Sequence, residues 1–121
     1  MRKELIDNNP ILKQTILFSL MIIDYCEVLN SAKKYVISKQ LLRAATSIGA
    51  NAMEAQNAES KSDFIHKLKI AAKEADETQY WLILCSYMPD VTGSEKLLLE
   101  LEQIQKIINA ILGTAKKKLQ V

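Results

Sequence analysis

Thr92-Gly93-Ser94-Glu95-Lys96-Leu97-Leu98-Leu99-Glu100-Leu101-Glu102-Gln103-Ile104-Gln105-Lys106-Ile107-Ile108-Asn109-Ala110-Ile111-Leu112-Gly113-Thr114-Ala115 is the stretch that decides the fold. Thr92 to Glu95 has the form of a capping box, in which a hydroxyl and a carboxylate satisfy amides at a helix start. Beyond it Leu97, Leu101, Ile104, Ile108, Ile111 and Ala115 recur at spacings of four and three. That near-heptad seam packs helices at small crossing angles. A helix is predicted over 95–118. Leu98, Ile107 and Leu112 widen its apolar surface beyond one seam, as expected of a helix that touches two neighbours.

Working back from this seam, Pro89 and Gly93 close an earlier helix predicted over 61–88. Ser60-Lys61-Ser62-Asp63 supplies its capping box, and Phe64, Leu68, Ala71, Ala75, Thr78, Leu82 and Cys85 mark its buried stripe. A second helix is read over 38–57 with Ser38 as its cap and Leu41, Ala45, Ile48, Ala52 and Ala55 on one face. Its side chains are small. Gly49 in mid-helix costs about 1 kcal/mol relative to alanine, so a close crossing with a neighbour is the reason to have it. The first helix, 10–31, opens on Asn8-Asn9-Pro10, with a side-chain cap followed by a proline that loses no needed amide. Residues 16–23 are apolar at seven of eight positions, which leaves no polar face for water and points to a second packing surface, against another subunit.

Long helices with short connections predict one domain spanning 1–121, an all-α, antiparallel up-and-down four-helix bundle. Composition agrees. Hydrophobic residues make up 49% of the 121, with 3 Gly and 2 Pro, so there is little material for tight turns and enough for one core. Charge is close to balance at +2, with seven basic and six acidic residues in 1–60 and nine and eight in 61–121. The terminal basic clusters are Arg2-Lys3 and Lys116-Lys117-Lys118. The charge-free stretch Gln14 to Ile23 falls short of the ~20 residues that cross a bilayer, and Glu4, Asp7 and Pro10 interrupt any secretory signal pattern. No membrane association is expected and the cytoplasm is the expected compartment, with Cys26 and Cys85 as buried, reduced thiols.

Chemistry is sparse. A di-iron bundle needs two Glu-x-x-His motifs, and this chain has one histidine, His66. A zinc cluster fails for the same reason. His66 near Ser62 and Asp63 lacks an oxyanion hole, and there is no glycine-rich phosphate loop. The expectation is a protein that is not an enzyme, with no metal, cofactor or small-molecule substrate, although Glu54 and Glu74 or Glu77 are carboxylates that a bundle interior can bring together. Tyr80, Trp81 and Tyr87 are read as packing or interface aromatics, because basic residues do not interleave with them as base stacking requires.

The run Gln40-Leu41-Leu42-Arg43-Ala44-Ala45-Thr46-Ser47-Ile48-Gly49-Ala50-Asn51-Ala52-Met53-Glu54, followed by Phe64, Leu68, Ile70-Ala71, Glu77 and Tyr80-Trp81-Leu82, resembles the four helix bundle protein family. That family is also called the 23S rRNA intervening-sequence protein family, and the likeness covers about 10–112. It implies a bundle that assembles as a homopentamer. Members are encoded in insertions of large-subunit rRNA genes, and relatives act as accessory proteins of diversity-generating retroelements, binding reverse transcriptase and nucleic acid. Carried onto this chain, the motif positions are Arg43, Ser47, Asn51 and Glu54, with Glu77 as a partner, expected to form a polar network that sets helix register. The chain departs from the family in having Ala55 where members commonly have Gly and Lys73-Glu74 where they carry Gly-Ser, and it lacks the strong basicity of the retroelement relatives.

Two functions follow as expectations. The first is a non-enzymatic, homo-oligomeric interaction or scaffold protein whose partner is itself. The alternative is an accessory protein that binds RNA or DNA through Lys116, Lys117 and Lys118.

Overall fold

Asn9 and Pro10 start the first long helix as their chemistry requires. In the computed structural model, which describes residues 3–120 and side chains through Lys118, the Asn9 side chain accepts from the Leu12 amide and Pro10 takes the first helical position. Arg2 of the amino-terminal basic pair lies outside the described residues. The elements are α1 (Lys3–Asp7), α2 (Pro10–Ser31), α3 (Tyr35–Ala55), α4 (Lys61–Ser86) and α5 (Ser94–Gln120). All are helical, and no strand occurs among the described residues. The short α1 was not expected from the sequence and packs only on α2.

Boundaries moved where the backbone found a different stop. α2 ends with Lys33 in the left-handed region at φ 63, where the Lys34 amide donates to the Leu29 carbonyl and the Lys33 amide to that of Asn30. This is the doubly bonded ending that glycine usually serves. The chain re-enters a helix at once, so α3 starts at Tyr35, its cap position is Lys34 without a side-chain bond, and Ser38 is not a cap. Its amide already donates to the Lys34 carbonyl, its side chain is buried, and its carbonyl accepts from the Cys26 thiol at 3.6 Å.

α4 starts as expected, with Ser60 Oγ accepting from the Asp63 amide at 3.0 Å, but Asp63 reaches back to the Glu59 amide rather than that of Ser60. Ile65 takes the buried place read for Phe64, which is half-buried. α5 begins at Ser94, one residue before the expected start, directly after Gly93, whose φ of 97 lies in the region that favours glycine. The ring of Tyr25 lies against that glycine.

α3 packs on α2 and α4, and α5 packs on α4 and α2, whereas the backbones of α2 and α4, and those of α3 and α5, lie diagonally across the bundle. The four long helices therefore surround one core. Phe18, Ile22, Leu29, Leu41, Ile48, Leu68, Leu82, Leu101, Ile104 and Ile108 fill it, all essentially inaccessible to water. Small residues on α3 bring α2 close. A Cβ added to Gly49 would stand 2.9 Å from Thr15 Oγ1 and 3.0 Å from its Cβ, so the crossing anticipated at Gly49 is present and its partner is Thr15. Cys26 and Cys85 are buried and unbridged. No helix among the described residues is long and apolar enough to cross a membrane.

The apolar surplus is unevenly spent. On α5, Leu112 is buried and Leu98 and Ile107 are half-buried against the body of the same chain, so this helix satisfies its two neighbours without another subunit. On α2 the surplus stays outside: Ile16, Leu17, Leu20 and Ile23 face solvent.

Candidate functional site

The motif residues of α3 divide into three local arrangements. Arg43, immediately before the small-residue stretch that begins at Ala44, reaches α4 with both guanidinium nitrogens. Nη1 donates to Glu74 at 3.0 Å and Nη2 donates to Glu77. Glu77 also accepts from the Trp81 indole at 3.2 Å, and Trp81 meets Tyr80 edge-on with ring centroids 5.3 Å apart. The spacing i, i+3, i+7 explains why Glu74, Glu77 and Trp81 share one face of α4. The two carboxylates hold the guanidinium more firmly protonated than usual, working against the desolvation that would release its proton. Arg43 itself is exposed, so this cluster clamps α3 to α4 at the surface rather than inside the core.

Ser47 and Asn51 do not join that cluster. The Ser47 hydroxyl donates to the Arg43 carbonyl at 2.6 Å and the Asn51 amide to the Ser47 carbonyl at 2.9 Å, so both satisfy their own helix. Glu54 is farther along, accepting from Lys67 of α4 at 3.2 Å, and does not meet Glu74 or Glu77. Glu74, named from the sequence only as a carboxylate that could meet Glu54, is instead the second partner of Arg43. Its half-buried position on the α3-facing side of α4 brings it to Arg43, and the pairing of the helices reveals that.

Lys116, Lys117 and Lys118 are exposed in the final turns of α5, where cations also complement the carboxyl end of a helix. Lys118 and Lys61 line a shallow groove of about 630 Å³ whose floor is Ala55, Phe64 and Ile111. His66 is exposed. Among the described residues no group of three or more His, Cys, Asp or Glu is placed to hold a metal ion. Tyr80 and Tyr87 are exposed, and Trp81 is half-buried.

Residues 7–110 match the family described as 23S rRNA-intervening sequence protein. The chain belongs to that family. A crystal structure of a protein of unknown function from the S23 ribosomal protein family of Bacteroides thetaiotaomicron VPI-5482 is similar to it at 40% identity, with a TM-score of 0.81. The likeness covers 84% of this chain and 97% of that one. No curated protein matches. Family membership thus accounts for the Arg43 to Glu54 run that carried the resemblance.

Proposed function

We propose that the chain is a non-enzymatic, cytoplasmic, self-assembling scaffold: an antiparallel up-and-down four-helix bundle whose copies join as a homopentamer. One observation carries the assembly. Ile16, Leu17, Leu20 and Ile23 are 37–54% exposed in the middle of α2, and a contiguous apolar stripe of this kind on a small protein marks an interaction surface. The topology is supported by two inter-helix ion pairs. As the α3 position advances from Arg43 to Glu54, its partner on α4 retreats from Glu74 to Lys67. The number five comes from the family resemblance. Sedimentation or native mass spectrometry at micromolar concentration tests the reading: an oligomer near five times 13.7 kDa is expected, and a monomer ends it.

A second reading has its own observation. Lys116, Lys117 and Lys118, with Lys61 near them across the groove, give each copy a basic end, and several copies arranged about one axis would gather those ends into a local cationic ring. On this reading RNA or DNA binds with affinity that falls steeply with salt. Replacing the three lysines with alanine should flatten that slope, and absence of binding at low salt excludes it.

A further inference from the structure

The groove of about 630 Å³ between the start of α4 and the last turns of α5 has a floor of Ala55, Phe64, Ile111 and Ala115. Small side chains give it its depth. Ala55 ends α3, Ala58 lies in the connection that follows and Ala110 stands on α5, so methyl groups occupy positions where larger side chains would fill the space. Phe64 belongs to the floor because Ile65 takes the core position of this turn and leaves the ring half-buried. The polar groups around the floor are mostly donors. Lys61 and Lys118 are exposed, and neither is ion-paired among the described residues. Ser60 and Thr114 add hydroxyls, while the Gln56 amide is spent on the Ala52 carbonyl and on Asn9. Glu59 and Asp63, the acids flanking Ser60-Lys61, do not line the groove, and the Asp63 carboxylate accepts from the Glu59 amide.

An apolar floor with two cations at its rim and no lining carboxylate is complementary to a molecule that joins an alkyl chain to one negative head. Lysine stems lie along apolar surface and keep their ammonium groups in water, from which they donate charge-assisted hydrogen bonds to an oxyanion. A phosphodiester backbone would use the lysines and leave the floor uncovered, whereas a cationic amphiphile would cover the floor and meet two like charges. We infer that this groove binds a single-chain anionic amphiphile, a fatty carboxylate, whose chain covers Phe64, Ile111 and Ala115 and whose head meets Lys61 and Lys118. The size suits one such chain, since small-molecule sites enclose about 300–1,000 Å³ and are mainly apolar with a few placed polar groups. No residue of α2 lines the groove, so the site is separate from the stripe that carries self-assembly.

Dodecanoate below its micelle concentration, titrated into the full chain and followed by calorimetry and by amide NMR shifts, tests it. One molecule should bind per protomer and shift the amides of Phe64 and of Ala110 to Ala115. Octanoate should bind at least about tenfold more weakly, because each fully buried methylene is worth up to about fourfold. Dodecyltrimethylammonium, with the same chain and the opposite head, should also bind about tenfold more weakly than dodecanoate. Lys61→Glu combined with Lys118→Glu should abolish that preference for the anion, and Thr114→Trp on the groove wall should block both amphiphiles. All three positions are exposed, so the variants should keep the wild-type helical circular dichroism. Absence of saturable binding, shifts confined to the Ile16 to Ile23 stripe of α2, or undiminished binding by Thr114→Trp overturns the site. Equal affinity for the two heads, or a preference that survives the double lysine replacement, overturns the anionic ligand. Shifts at the floor amides from a short RNA but not from dodecanoate overturn it in favour of nucleic acid.

Discussion

Tyr25 is held with its ring against Gly93 and its hydroxyl buried without a hydrogen-bond partner. Cys85 and Ser94 are its neighbours, yet neither completes a bond. Burial first, and the nearby Cys85 second, push its ionisation from 10.0 up to about 12. Folding thus favours the protonated phenol, so this contribution to stability is complete below pH 10 and is lost as pH rises through about 12. Tyr25→Phe removes an unsatisfied buried group and should raise the unfolding free energy at neutral pH by about 1 kcal/mol. It should also reduce the alkaline loss, and urea titrations at pH 7 and pH 11 check both effects. Gly49 presents the opposite case. An exposed mid-helix glycine normally gains about 1 kcal/mol on conversion to alanine, but here the new methyl meets Thr15, a stiff β-branched side chain whose hydroxyl is committed to the Ile11 and Leu12 carbonyls. Overpacking of about 1–3 kcal/mol outweighs the gain. Gly49→Ala should therefore lower stability in chemical denaturation, the reverse of the propensity expectation.

At the scale of elements, the ends of the helices hold more information than their middles. Ser60 was read from the sequence because its hydroxyl has a specific task, and it performs it; Ser60→Ala should cost about 1 kcal/mol in thermal or urea unfolding. The junction of α2 and α3 departs from the sequence expectation for an equally specific reason. The left-handed residue that closes α2 is Lys33 rather than glycine, so the usual punctuation is absent from the sequence and the cap position falls at Lys34 rather than at the hydroxyl of Ser38. Lys33→Gly removes the Cβ from that conformation and should stabilise the protein by about 1 kcal/mol, measured as a raised melting temperature. The Arg43 cluster belongs to this scale too. The resemblance carries Arg43 with Glu77, whereas the pairing of Arg43 with Glu74, and of Glu54 with Lys67 rather than with another carboxylate, depends on which face of α4 meets α3.

For the whole molecule, the distribution of apolar surface matters more than its amount. α5 uses its surplus within the protomer, where Leu112 is buried, while α2 leaves its stripe exposed. A protein whose folded state is completed by association gains stability from mass action. Its melting temperature should accordingly rise with protein concentration, and a temperature that stays constant over a hundredfold range, read by calorimetry or circular dichroism, would count against association.

The amino-acid sequence by itself determined the all-α class, the four long helices, most of the buried positions and the family, because each depends on periodicity, capping chemistry or residue type at fixed spacing along the chain. Tertiary structure alone decided that Thr15 is what Gly49 accommodates, that the α3 motif residues separate into distinct pairings, and that α2 rather than α5 keeps its apolar face exposed. Those outcomes depend on which helix faces which, and a periodic pattern states that a helix has a buried side without stating what buries it.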